Sequence, residues 1–286
     1  MQSINYGRHF LDARDLQIAN KVLKSDMITR GPQVSKFEKN LSKYTSSKFT
    51  TVCNNGTSAI MLAFLGLNIK KNDVVIMPSI NFIAAYNVAR TIGANVFLSD
   101  VDKLTGQMTP KHLVECIKKF RIKKVKAILV QYHGGYPENI ENFYNLKKKL
   151  KCLLIEDACH AFGARYVINS KKYMIGSCKH SDICTFSFHP LKTITTGEGG
   201  AVTTNSKKID QKIKQLRSNG IIKNKKIWLN NSYFIGQNFN LTDFQCALGI
   251  SQLKKIDKFL KFRKKIFDQY NNQLKDLKKI KIVKYS

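Results

Sequence analysis

An α/β fold, with a parallel sheet covered by helices on both faces, is what this sequence predicts. Three observations carry that prediction. Short apolar runs alternate with amphipathic stretches along most of the 286 residues. The runs are apolar throughout, as strands buried on both faces must be. Residues able to do chemistry gather where the runs end, and ligands of such sheets collect at the carboxyl ends of the strands.

Residues 9–24 form a first amphipathic helix, with Phe10, Leu11, Leu16, Ile18, Val22 and Leu23 apolar, before an irregular Thr29–Pro32. Val34, Phe37, Leu41 and Tyr44 fall at i, i+3, i+7 and i+10, one face of a second helix. A strand from Thr50 leads through Asn55-Gly56 into a helix starting near Thr57, which carries the apolar run Ala59–Leu67. Its first turn presents unpaired N–H groups and the positive end of the dipole, so it can hold a phosphate. Thr57 and Ser58 add hydroxyls, although Asn-Gly-Thr-Ser is also a good helix cap. Val74–Met77 is a short strand ending at Pro78-Ser79, with a helix over Ala84–Ile92 and a strand over Val96–Leu98. A helix over 110–121, a strand over Val125–Gln131, a helix over 138–150 and a strand from Cys152 follow. Residues 182–188 alternate and carry β-branched and aromatic side chains, which predicts a strand. Pro190 has no N–H for the ladder and ends it, leaving Lys192 in the turn beyond. Gly197, Gly199 and Gly200 let the backbone turn before a strand over Ala201–Asn205. Residues 251–278 read as one long lysine-rich helix, and Lys279–Tyr285 as the start of a strand.

Composition narrows the function classes. A chain of this length with 43% hydrophobic residues can bury a full core. No apolar run reaches the ~18 residues of a membrane span, and the first residues lack the apolar core of a signal peptide. Seven scattered cysteines without a C-x-x-C pair argue against a disulfide framework or a metal site and fit a reducing cytoplasm. The net charge of +30 comes from 41 lysines against 8 arginines. Nucleic-acid readers favour arginine for bidentate contacts, so nucleic acid is not the expected partner. A basic surface does suit an anionic, nucleotide-linked substrate.

The chemistry sits at the strand ends. A lysine on a glycine-bounded turn, with Ser187 five residues upstream, suits a Schiff-base site for a phosphorylated aldehyde. Lys192 supplies the imine nitrogen and Ser187 a phosphate donor. A solvated lysine is the commoner fate of any one such residue, and only company elsewhere in the chain reverses that. Asp157 ends an apolar strand and can keep a pyridine nitrogen protonated, making the ring an electron sink. His160 can contact the ring's phenolic oxygen or pack above it, and Phe82 can stack on it.

The runs Glu156–Ala164, Phe186–Lys192 and Thr195–Ala201 resemble the DegT-type nucleotide-sugar aminotransferases, which are pyridoxal 5′-phosphate (PLP) enzymes of the aspartate-aminotransferase fold. Asn55–Ala59, Pro78–Phe82 and Gly236–Gln245 match further blocks of that family, in order, from about Thr29 to Leu253. The resemblance implies a fold-type-I PLP transferase, a three-layer α/β/α large domain with a mostly parallel mixed sheet. It implies a cofactor-binding domain over 1–250, including an N-terminal segment over 1–30. Residues 251–286 would be a linker helix and the start of a C-terminal subdomain, largely missing here. By the same resemblance Lys192 anchors the cofactor, Asp157 pairs with the ring nitrogen and Phe82 stacks on the ring. Thr57, Ser58 and Ser187 hold phosphate, and His160 lies by the ring oxygen. Asn238 reaches the neighbouring subunit's cofactor, which implies a homodimer with shared sites. Family members that dehydrate C3 of the sugar carry His where this chain has Lys192. Arg217-Ser218-Asn219-Gly220 departs from the His that members often place before that Gly.

The expectation is therefore an aminotransferase moving an amino group from L-glutamate to C4 of a UDP-linked 4-keto-6-deoxy-N-acetyl-hexosamine. The alternative is a non-catalytic relative that binds PLP or an anionic partner through its basic surface.

Overall fold

Asp12 decides where the first helix begins. Its carboxylate accepts from the Asp15 N–H at 3.1 Å, and the Asp15 carboxylate accepts from the Asp12 N–H at 3.1 Å. That reciprocal cap starts α1 at Ala13–Leu23, later than the apolar pattern alone suggests. The computed structural model describes residues 6–223, 230–232, 234–277 and 282–283. The strand expected over 279–285 falls largely outside them.

Pro32, with φ already fixed for a helix, opens α2 (Pro32–Thr45). Then come β1 (Phe49–Cys53), α3 (Gly56–Gly66), β2 (Val74–Pro78), α4 (Ala84–Ile92), β3 (Asn95–Ser99) and α5 (Pro110–Lys119). β4 (Ala127–Gln131), α6 (Ile140–Leu150), β5 (Leu153–Asp157) and a hairpin of β6 (Arg165–Ile168) and β7 (Lys171–Met174) follow. The chain continues through β8 (Ile183–Ser187), β9 (Gly200–Thr204), α7 (Lys207–Arg217), β10 (Ile221–Lys223) and β11 (Asn230–Ser232). It ends its described part in α8 (Asp243–Leu253) and α9 (Ile256–Leu274).

Seven strands form one sheet in the order β1-β9-β8-β5-β4-β2-β3. β9 runs antiparallel to both of its neighbours, and the remaining pairs are parallel. The sheet is thus mostly parallel and mixed, as expected, and the carboxyl ends of all its strands but β9 share one edge. Side chains alternate between its faces with the period of two that a strand imposes. Ile76, Ile128, Leu154 and Phe186 face one core, with Phe37 and Leu41 of α2 and Phe143 of α6. Met77, Leu129, Ile155 and Ile183 face the other, with α3, α4 and α7. Burying a side chain such as Phe37, fully enclosed and 5.5 Å from the Phe188 ring, contributes about 1.5–3 kcal/mol.

Two expectations need correction. The helix expected over 251–278 is two helices, because α8 runs through Leu253 and the chain bends at Lys255. There the Lys255 ammonium pairs with Asp12 at 2.9 Å and with the fully buried Asp15, which also accepts from Gln252 Nε2 at 2.8 Å. Leaving Asp15 buried and unpaired would cost several kcal/mol, so this tie to α1 outweighs two residues of helix. The second correction concerns the turn after β8, where only Gly197 is left-handed, at φ 81°. Gly200 belongs to β9, where a Cβ would stand 2.3 Å from the Asn55 carbonyl oxygen. The β6–β7 hairpin and α7 carry no expectation above. The hairpin turns on Asn169 and Ser170, both left-handed (φ 49° and 60°), a use of serine that turn preferences disfavour. Among the described residues no helix is long and apolar enough to cross a membrane, no group of side chains is spaced to hold a metal ion, and the seven cysteines are unpaired.

Candidate active site

The residues singled out in the sequence come from loops that leave the same edge of the sheet. After β1, the Asn55 side chain accepts the Ser58 N–H at 2.8 Å and fixes the start of α3 at Gly56. The first-turn N–H groups of Gly56 and Thr57 have no acceptor within the helix. A Cβ on Gly56 would stand 2.9 Å from Ser187 Cβ and 3.5 Å from Cys159 Sγ. Glycine therefore lets the positive end of α3 press onto the ends of β8 and β5. Thr57 is exposed there, while Ser58 and Ser187 are buried.

β5 ends in two acids that strand alternation sends to opposite faces. Glu156 is enclosed and accepts from the Tyr132 hydroxyl at 2.7 Å and the Ser181 hydroxyl at 2.8 Å. Asp157, 2% exposed, accepts from the Cys159 N–H at 3.1 Å. Burial holds its carboxyl above the ordinary value, against the opposing pull of Cys159 and the Lys192 charge. Lys192 is half-buried in a turn closed by its own N–H on the His189 carbonyl at 2.9 Å. Arg263 of α9 donates to the Lys192 carbonyl, also at 2.9 Å.

His160 lies 5.9 Å from His133, ring to ring, with part of its side chain open to solvent. Burial of the rest, then the charges of Lys192 and His133, push its pKa down to about 4. The ring is neutral near pH 7 and serves as a neutral hydrogen-bonding group. Because the folded value lies below an unfolded histidine's 6.5, the unfolded chain takes up the proton first. His160 thus contributes stability above about pH 6.5 that is lost as pH falls toward 4. An NMR titration of its ring, assigned with His160→Gln, is expected to show a midpoint near 4. A midpoint near 6.5 would contradict this environment.

Thr57, Ser58, Asp157, His160, Ser187 and Lys192 thus come together. Phe82 lies beyond the end of β2 and is 68% exposed, at the rim of this edge. Asn238 is exposed, and its side chain accepts from Asn240 Nδ2 at 2.7 Å rather than from the cluster.

Three polar side chains at this edge were not assigned from the sequence. Asn54 Oδ1, both amide atoms of Asn81, and Gln131 Oε1 are buried without a partner among the described residues. Each such atom costs about 1–3 kcal/mol unless a ligand satisfies it. The signal for Gln131 is a polar residue closing the otherwise apolar β4, directly opposite Asp157 in the ladder. With the open N–H groups of α3, the Ser187 hydroxyl, the Lys192 amine and the buried Asp157, these orphaned atoms fit PLP. There is an anion cradle, an amine for its aldehyde, a carboxylate for its ring nitrogen and further donors and acceptors.

The family model described as the DegT/DnrJ/EryC1/StrS aminotransferase family matches residues 10–286. The UDP-4-amino-4,6-dideoxy-N-acetyl-beta-L-altrosamine transaminase of Campylobacter jejuni strain 81-176 is 39% identical over 270 residues, 94% of this chain and 69% of the relative. GDP-perosamine synthase of Escherichia coli O157:H7 is 33% identical over 268 residues, 93% of this chain and 70% of the relative. Among solved structures, Helicobacter pylori PseC, an aminotransferase of pseudoaminic acid biosynthesis, superposes with a TM-score of 0.89 at 29% identity. That match covers 97% of this chain and 72% of PseC.

Proposed function

We propose, for a chain that belongs to the DegT/DnrJ/EryC1/StrS aminotransferase family and so is a PLP-dependent enzyme, a specific amino transfer. The donor is L-glutamate and the acceptor is C4 of a UDP-linked 4-keto-6-deoxy-N-acetyl-hexosamine. The meeting of Lys192, Asp157, Ser187 and the start of α3 at one sheet edge carries the chemical part of this reading. The 39% identical transaminase supports the choice of sugar.

When bound, PLP supplies an electron sink for the carbon that loses its proton. Lys192 would hold the cofactor through its amine, and the same amine is placed to take the proton from the donor's Cα and return it. Asp157 keeps a proton on the ring nitrogen, because a buried carboxylate is stabilised by an adjacent cation. Ser187, the hydroxyls of Thr57 and Ser58, and the open N–H groups of α3 hold the phosphate. His160, kept neutral, would meet the ring oxygen, and Phe82 would stack on the ring. Asn238 completes the site of a second copy, which makes the working form a homodimer. That assignment accounts for its exposure away from its own chain's cluster. Residues 1–250 form the cofactor-binding unit in this reading, and those that follow lead out of it.

The test is amino transfer by the purified protein, with 2-oxoglutarate release and NMR of the sugar product. UDP-linked and GDP-linked 4-keto-6-deoxy sugars are offered in parallel. The expected product carries its new amine at C4 of the UDP-sugar. Preference for the GDP-sugar or amination at C3 would overturn the substrate assignment. Failure to bind PLP at all, with salt-dependent binding to polyanions, would favour the non-catalytic reading instead.

A further inference from the structure

We propose that Arg263 is a positioning residue for amino transfer: from α9 it clamps the peptide carrying Lys192 and so sets where the lysine amine is delivered. The inference rests on Lys192 being the cofactor's anchor. Phe259, Arg263 and Phe267 are spaced by four and form one stripe along α9. Phe259 packs on Phe10 with ring centroids 6.0 Å apart, and Phe267 on Tyr136 at 5.9 Å. Between two apolar anchors stands an arginine, in a chain that otherwise places lysine at most basic positions. Its guanidinium donates from Nη2 to the Lys192 carbonyl at 2.9 Å and to the Leu191 carbonyl at 3.4 Å. Both bonds leave one nitrogen, and the planar guanidinium holds its orientation toward consecutive carbonyls better than a flexible ammonium does.

The clamped turn has few other ties. The Lys192 N–H reaches the His189 carbonyl at 2.9 Å, and the Leu191 N–H reaches His189 Nδ1 at 3.3 Å. Both ties hold the amide side of the turn, and Arg263 holds the carbonyl side. A lysine side chain has four rotatable bonds, so its reach is only as well defined as its Cα. Fixing the peptide after that Cα removes one source of misplacement. Arg263 is partly open to solvent, and desolvation of the rest pulls its pKa below the ordinary arginine value, opposed by Tyr6. It lines, together with Lys192, Phe262 and Tyr270, a groove of about 1270 Å³ between α9 and residues 6–11. The ionisable groups whose fields couple to Lys192 are Asp157, Cys159 and His160.

The experiment begins with borohydride reduction and peptide mapping of the PLP-loaded wild type. A pyridoxyl group elsewhere than on Lys192 would remove the premise before any variant is made. With the anchor established, Arg263→Ala and Arg263→Lys are compared for kcat, KM and melting temperature. Arg263→Ala is expected to lower kcat about tenfold or more, as misplaced reacting groups do, with KM within about twofold. Arg263→Lys should recover only part of kcat, and it carries the test alone if the alanine variant does not fold. Unchanged kcat in Arg263→Lys would overturn the proposal. So would a lowered melting temperature in Arg263→Ala with kcat unchanged, since Arg263 would then only staple α9 to the sheet.

Discussion

Replacing Lys192 with alanine is expected to lower amino transfer by about 10²–10⁴-fold, the range over which a positioned acid–base group contributes, and to abolish the borohydride-stable adduct. The fold should survive. Lys192 is half-buried in a turn, and the bonds that shape the turn are made by its backbone: N–H to His189 and carbonyl from Arg263. None of them needs the side chain. Single-turnover measurement of 2-oxoglutarate release, beside a thermal melt, separates the two effects. Activity within tenfold of wild type in a folded Lys192→Ala protein would mean that the proton is moved by another group.

Asp157→Asn is expected to cost about 10²-fold or more in kcat without lowering the melting temperature. The carboxylate is 2% exposed, and burial holds its pKa above the ordinary range. The ionised acid is therefore costly in the protein alone, offset only in part by Cys159 and Lys192 and further by a cation beside it. Asparagine keeps the shape, removes the buried charge and cannot stabilise a protonated ring nitrogen. Functional sites commonly trade stability for activity in this way. The sign of the pH dependence follows. The wild type needs Asp157 ionised, so its kcat is lost as pH falls far enough to protonate it, and the ring cation beside it holds that point below the value of the protein alone. The Asn variant should lack that acid limb. A pH–rate profile of both proteins reads this directly, and a shared acid limb would assign it to another group.

Much of the architecture is written locally. Apolar runs such as Val125–Gln131 and the one from Cys152 predict buried strands, seen at Ala127–Gln131 and Leu153–Asp157, and Ala84–Ile92 predicts its helix to the residue. The candidate site is legible for a related reason. A parallel sheet puts its strand ends on one edge, so Asp157, Ser187 and Lys192 are neighbours once their strands are placed. Their chemical roles come from the family motifs and await the measurements above.

Other features were decided only by the folded chain. The order of the seven strands and the reversed direction of β9 depend on how helices pack over the sheet, and periodicity encodes a buried face without naming its partner. The break between α8 and α9 answers to Asp15, 240 residues away in sequence from Lys255. The unpartnered amides of Asn54, Asn81 and Gln131 are visible only once burial is known. Arg263 meets the Lys192 carbonyl across 71 residues. Local sequence determines which residues turn inward and where a helix or strand runs, because sterics, caps and the hydrophobic period act over a few residues. Which side chains then meet across the core is set by tertiary packing, where one buried charge or one close approach outweighs local preference.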